Sequence, residues 1–471
     1  MRKFARIAAV GSALMASFAL LGPQAVQAQT PVTNRVYTTG LKIQNLSDTA
    51  PAAITLNFYA EGSSTAVATV PGTIPAKGSV TYAPLPTEVP SSFKGSAIIS
   101  SDQPVAAVVN IASPNLAATF GGGGYTGFTA GAKKFFLPLV FREFFTFSSF
   151  FSVQNIGDSP TTVTVDFVGT NGAGAVTKSQ SQTIQPNTSF EFNQDSFAEL
   201  GTNFTGAATI TSTTEDVVAA VMQVSSGQIL GYGGFAAGTT NPVMPIIQAN
   251  RFGYFTGANI QNVGTAATDV TVTFSPALEN GVPVGTECTE TITVQPGAKV
   301  PFAQYALRPG SRGTNAGTDN CADGVGFLGS GRVTGNTTSQ PLVAAVNQLN
   351  SAANKGGTYG AFDAASATAS VVFPTIQDRL FGYFTGFSVV NVGTVATPVT
   401  CTFSNSQIVV NATLEPGKGF SDVQGGKIAP NYNGSATCTA TASGAKIVGV
   451  GQQLNITGNA DTFFVYEGIS K

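Results

Sequence analysis

Apolar and polar residues alternate along most of the chain. The clearest stretches carry Ile54, Leu56 and Phe58; Val163, Val165 and Phe167; Val270, Val272 and Phe274; and Val399, Cys401 and Phe403. A period of two puts one set of side chains on a buried face and the other in water, which is the pattern of a half-buried β-strand. These runs are rich in Val, Thr, Ile and Phe and are separated by clusters of Gly, Pro, Asn and Ser, while helical periodicity is nearly absent. The pattern predicts an all-β chain.

The alternating stretches belong to a longer unit that recurs four times. Each follows a marker Asn: Asn45, Asn155, Asn262 and Asn391. Further on comes a small-residue strand, as in Gly95–Ile99, Gly206–Ile210 and Gly434–Cys438, with Gly329–Val333 as a weaker copy. Next is an apolar strand such as Val105-Ala-Ala-Val-Val109 or Val217-Val-Ala-Ala-Val221. Three copies then close on Gly and aromatic residues around Tyr125, Tyr232 and Tyr359, whereas the fourth ends at Phe463-Phe-Val-Tyr466. The markers recur about every 110 residues, a length that suits one β-sandwich of about 100 residues. The expected division is a leader over 1–28, then sandwiches over 29–130, 131–238, 239–366 and 367–471, each with its own core. Loop-forming residues over 308–320 lengthen the third copy, and Gly121–Gly124 reads as a low-complexity hinge.

The motif of an apolar residue, Gln or Val, Asn, any residue and Gly appears as Val153–Gly157, Ile260–Gly264 and Val389–Gly393. With its later Pro-Asn or Pro-Gly turn, at Gln185–Asn187, Gln295–Gly297 and Glu415–Gly417, it resembles the Ig-like repeats of bacterial and archaeal surface proteins. The resemblance covers nearly all of residues 29–471, although the first copy has Leu46-Ser47 in place of the x-Gly pair. It implies four tandem Ig-like β-sandwiches in a secreted, envelope-associated or S-layer-like protein. It implies no reaction.

The first residues supply an address. Arg2, Lys3 and Arg6 precede an apolar run from Ile7 to Leu21, and Val26-Gln27-Ala28 offers small residues at a cleavage site. This is the layout of a secretory signal, and the run is shorter than the roughly 20 residues a membrane helix needs. No later stretch predicts a membrane span. The four cysteines, Cys288, Cys321, Cys401 and Cys438, fall in the last two copies, and four thiols permit three connectivities. An export signal and even numbers per copy favour bridges within each copy. Alternation turns Cys401 and Cys438 toward the core on facing strands, much as Ig domains link their two sheets.

Composition removes most chemistry. The 471 residues include no His and no Trp, and only 10% are charged. No His-dependent triad is available, and the commonest zinc ligand is missing. A formal charge of −2 gives no electrostatic case for nucleic acid. Asp319–Gly324 only loosely matches a calcium loop, with Cys321 where an oxygen ligand belongs. The carboxylates Glu143, Asp166, Glu191 and Asp195 form no recognisable glycosidase pair. The expectation is a protein without catalytic, cofactor or metal sites, and not an enzyme. Glycosylation-type triplets, from Asn45 to Asn455, are as frequent as the composition alone produces, so glycans stay open as partners.

The least ordinary segment is aromatic. Residues 135–151 hold eight Phe at the entry to the second copy, and milder entries follow Met244 and Phe373. A strand shows alternate side chains to opposite faces, so Phe144 and Phe145 cannot share one core, nor can Phe150 and Phe151. Arg35, Arg142, Arg251 and Arg379 recur beside these entries, where an Arg stem over a ring or a salt bridge would orient successive domains. Phe144, Phe145, Phe150, Phe151, Arg142, Arg251 and Arg379 are therefore the interface candidates. The expected role is a structural protein of the cell surface, self-associating or bound to other envelope components, for example as a subunit of a surface lattice or filament. The alternative is an adhesin or carbohydrate-binding module acting through sandwich-end loops.

Overall fold

Val163, Val165 and Phe167 are fully buried, and the alternate residues between them face outward along strand Thr161–Asn171, as the period of two requires. The computed structural model describes residues 36–113, 121–279, 282–302, 318–319, 321, 326–455 and 462–471. The leader over 1–28, Arg35, most of the 308–320 loop and most of Asp319–Gly324 lie outside the described residues. Among those described, the regular structure is strand apart from two short 3-10 turns, Gln194–Ser196 and Ala198–Leu200.

One strand order recurs. In the second copy, Gly174–Ile184, Thr161–Asn171, Phe204–Ser212 and Lys134–Arg142 form one antiparallel sheet. Ser189–Asn193, Ser148–Asn155, Val217–Val224 and Ile229–Gly233 form the other. Both sheets supply side chains to a shared cluster that includes Leu137, Phe151, Phe167 and Ile210. Strands in the other three copies pair in the same order, with additional short strands in the third and fourth, and a three-stranded outer sheet among the described residues of the first.

The marker Asn explains part of the repeat. Asn155 is fully buried; its side-chain amide donates to Ser159 O (2.8 Å) and Ile184 O (3.1 Å), and its Oδ1 accepts the Gly157 N–H (2.9 Å). Asn45, Asn262 and Asn391 repeat the arrangement. One side chain thus satisfies three backbone groups where the chain leaves one sheet and enters the other.

A buried Tyr performs a second recurrent task. Pro138, Pro245 and Pro374 lie at irregularities of the entry strands, where register slips. Tyr232 Oη donates to Leu139 O (2.7 Å) and accepts from Leu139 N (3.2 Å). Tyr359 does the same at Ile246, and Tyr466 donates to Thr375 O. The fourth copy therefore closes on its Tyr like the others, despite its different sequence.

The cores are not independent. The cluster of the first copy takes in Phe150, Ala220, Met222 and Val224 from the second. That of the second takes Ala345 from the third, that of the third takes Val450, Phe463 and Val465 from the fourth, and that of the fourth takes Val108 from the first. The cycle 1–2–3–4–1 closes the chain into a ring. The reason is visible along Val217–Val224, where all eight residues are buried because both faces of the strand are covered.

The closing strands meet in the middle of the ring. Gly121–Thr126 is one of them, so Gly121–Gly124 is a buried strand and not a hinge. A Cβ on Gly123 would lie 2.8 Å from Ile229 O, and one on Gly231 would lie 2.8 Å from Gly124 O. Backbones approach this closely only without side chains. Glu467 joins three copies there: its Oε1 accepts Gly360 N–H and its carbonyl accepts the Thr126 hydroxyl, while burial pushes its carboxyl above the usual range.

Two disulfides are present, Cys288–Cys321 and Cys401–Cys438, each within one copy. Cys401 and Cys438 are fully buried and stand opposite one another on neighbouring strands of one sheet. The bridge therefore staples adjacent strands and does not link two sheets. Inward alternation is equally compatible with either geometry. No helix among the described residues is long and apolar enough to cross a membrane.

Candidate functional site: the entry hairpins

Each entry strand turns back on itself through two residues. In the second copy, Phe144 and Phe147 exchange backbone hydrogen bonds (2.8 Å each) around Phe145 and Thr146. In the third, Arg251 and Tyr254 enclose Phe252-Gly253; in the fourth, Leu380 and Tyr383 enclose Phe381-Gly382. Both central residues have positive φ in every case: 43° and 74°, 52° and 79°, 50° and 83°. This is the primed turn that fits the twist of a hairpin, and it favours Asn-Gly. Here the first position holds Phe three times. A bulky side chain at positive φ is a real conformational outlier.

These rings are also in water. Phe145 is 80% exposed, Phe252 68% and Phe381 87%. All three tips sit at one end of the ring. Asn350 donates to Phe252 O and Asn455 to Phe381 O, at 3.0 and 3.1 Å. The turn after Asn350 reaches the second copy through Asn354 to Gly227 O, and the fourth through Lys355 Nζ to Thr462 Oγ1 (2.9 Å). Gly227 follows Val224, which pairs with Ser148 beside the Phe145 hairpin.

The other candidates are distributed differently. Phe144 is half-buried and stacks on Phe141 with ring centroids 5.4 Å apart. Phe144 and Phe145 belong to a turn, so strand alternation does not govern them. Phe151 lies in its own core, while Phe150 points the other way and meets Tyr37 of the first copy edge-on at 5.5 Å. Arg142 pairs with Glu143 at 3.3 Å, Arg251 with Glu279, and Arg379 with Asp378 at 2.8 Å. Each arginine thus finds its acid within its own copy. Arg251 also lies over the Phe252 ring at 4.3 Å, a cation–π distance. Asp378 is fully buried, which works to raise its pKa, but Arg379 and the N–H groups of Gly426 and Ile428 outweigh this and hold it below the usual range.

Phe252 and Phe381 are absent from the residues that sequence reasoning singles out. Their signal was the Phe-Gly pair, standing between two strand patterns where Asn-Gly would mark a hairpin. Phe252 further forms one lip of an apolar cavity of about 280 Å³ between the third and fourth copies, with Tyr254, Phe384 and Leu454.

No family model matches the chain, and no curated protein matches it by sequence. Comparison with solved structures pairs it with a tetra-tandem repeat in the extending region of a large adhesion protein, at 11% identity. That pairing covers 91% of this chain and 94% of the other, with a TM-score of 0.09, too low to carry an argument about fold or role.

Proposed function

We propose that this chain is an exported, non-enzymatic structural protein of the cell surface. In this reading a leader over 1–28 is removed, and four Ig-like sandwiches over 29–130, 131–238, 239–366 and 367–471 form a ring. The ring joins further copies or other envelope components through its rim of Phe tips. The observation that carries the proposal is the coincidence, three times over, of a solvent-exposed Phe with a left-handed backbone. Local contacts return only part of the cost: Phe145 meets Phe144 edge-on at 4.6 Å and Arg251 lies over Phe252, whereas the conformation costs about 1–2 kcal/mol per residue and an exposed ring forgoes about 1.5–3 kcal/mol of burial. Strain kept at an exposed apolar position points to a contact made elsewhere. The disulfides suit an oxidising compartment.

The test is a triple variant, Phe145→Asn, Phe252→Asn and Phe381→Asn. Asn accepts positive φ, so the stability of the ring should be unchanged or raised by about 1 kcal/mol per site. Self-association in sedimentation, or retention on isolated cell envelopes, should fall sharply. A variant that assembles like the parent, or that loses stability, would show that the tips serve the fold alone.

A further inference from the structure

The seam where the fourth copy meets the first is tied by polar side chains, Gln44 to Ser435 Oγ (3.0 Å) among them. The junction of the third and fourth copies opens instead into the cavity of about 280 Å³, with Phe252 at its lip on the rim that carries the Phe tips. Ile246, Tyr254, Leu328, Phe384, Leu454 and Phe463 give it an apolar wall. Its polar side chains are already paired. Gln248 accepts from Gln348 (2.9 Å), Gln452 donates to Gln348 (2.8 Å), the hydroxyls of Ser388 and Ser421 meet at 2.7 Å, and Asp422 pairs with Lys427. What the cavity asks of an occupant is apolar surface rather than hydrogen bonds. Its volume exceeds the roughly 150 Å³ that holds a benzene ring in an apolar cavity. The second copy shows what such a space accommodates. Phe141 stands there at the position of Gln248, each backbone N–H donating to the hydroxyl eight residues further on, Ser149 or Thr256. Phe144 likewise stands at the position of Arg251. Phe141 is buried, stacked on Phe144, with its ring centroid 6.2 Å from that of Phe147. The third copy lacks those two rings, and the cavity opens beside Gln248.

We propose, resting on the reading of the Phe rim as a contact surface, that the occupant is Phe145 of a second copy of this chain, and that two molecules meet rim to rim as a closed dimer. Of the three tips, Phe145 alone belongs to a copy that does not border the cavity. Phe252 forms its lip, and Phe381 lies three residues before Phe384 of its wall. A tip and a cavity at separate places on one rim let two molecules related by a two-fold axis exchange both contacts at once. Each Phe145 fills the other molecule's cavity, and Phe252 covers it at the mouth. Val423, 51% exposed, extends that apolar lip. Had tip and cavity lain at opposite ends of the molecule, the same contact would have propagated into a filament. Here both cavities are filled in the dimer, so this contact recruits no third molecule.

The test is sedimentation equilibrium of the full chain, where a monomer–dimer equilibrium without larger species is expected. Phe145→Asn should weaken the dimer about a hundredfold or more, because two buried rings are lost from each dimer. Gly386→Val fills the cavity from its wall, where a new Cβ meets Asp422 O and Val423 Cγ2 at 3.5 and 3.6 Å, ordinary contact distances. It should weaken the dimer to a similar degree, and combined with Phe145→Asn it should cost nothing further. Val423→Asp puts a charge on the exposed lip, leaves the core untouched, and should weaken the dimer at least about tenfold. Phe145→Cys protein mixed with Val423→Cys protein should give a covalent dimer with a short bismaleimide, and neither protein alone should. An unchanged dimer in Phe145→Asn, or in both cavity variants, would overturn this pairing, while loss of association in the Phe145, Phe252 and Phe381 triple variant would still leave the rim a contact surface. A parent that stays monomeric or grows beyond the dimer, or Phe145→Cys protein that cross-links with itself, would likewise refute it. Parent-like association of the triple variant would sink both readings.

Discussion

Lys42 offers a direct reading of ring closure. It is 6% exposed, and its ammonium crosses the seam to donate to Asn433 Oδ1 (2.8 Å) and Gly434 O (2.9 Å). Its own strand Thr38–Asn45, the flanking strands Ser79–Tyr82 and Val105–Ser113, and Tyr432–Ala440 across the seam carry no carboxylate. Behind them, Ser370–Leu380 brings only Asp378 and Arg379, which pair with each other. Burial alone therefore pushes the Lys42 pKa down from 10.5 to about 7. In the unfolded chain the lysine keeps its proton until about pH 10.4. Between these two values the unfolded state binds more protons, so stability rises with pH across the window from about 7 to about 10.5 and flattens below it. From pH 7 to pH 9 the gain is about 2 kcal/mol. Lys42→Met should abolish that increment in urea-unfolding midpoints taken at both pH values, and in amide exchange along Thr38–Asn45. Lys299, pushed down to about 8 by burial, acts in the same sense in both proteins and cancels in the comparison. A Lys42→Met protein with the pH slope of the parent would refute the placement of this ammonium inside the seam.

Two further outcomes follow from the covalent and hydrogen-bonded ties. Replacing Cys401 and Cys438 together by Ala releases a closure of 37 residues and should cost about 3–4 kcal/mol; because Val108 of the first copy packs in that core, exchange protection should drop in both the fourth and the first copies, and a loss confined to the fourth would contradict the shared core. Tyr232→Phe leaves the N–H and C=O of Leu139 buried and unmet, so the denaturation midpoint should fall by the equivalent of about 2–4 kcal/mol, while an unchanged midpoint would show that another group satisfies them.

Strand alternation was legible because it is local: a period of two over five residues is enough to place Val163, Val165 and Phe167 inside. The cysteine pairs were legible from the even number in each of the last two copies, though the placement of Cys401 and Cys438 within one sheet was not, since inward positions on neighbouring or facing strands read alike. Sharing of the cores was written in Val217-Val-Ala-Ala-Val221, an apolar run without alternation, which is what a strand covered on both faces requires. Ring closure left no such trace. The contacts of Lys42 and Gln44 join residues 391 or 392 positions apart, and no local pattern reports a pairing at that separation.

The Phe tips show a different kind of legibility, through conflict between levels. In the second copy the pair Phe144-Phe145 looks like strand, because Thr146 stands where Gly would have announced a turn. In the third and fourth copies Phe-Gly has the spacing of a hairpin turn, but the wrong residue for its first position. Folding alone favours Asn there, since Asn tolerates positive φ and its amide is at ease in water. Phe opposes both preferences, and it does so at Phe145, Phe252 and Phe381 alike. A single such site would be a local irregularity. Three at equivalent turns on one rim support the proposed contact outside the fold, since the local contacts of Phe145 with Phe144 and of Phe252 with Arg251 still leave all three rings mostly in water.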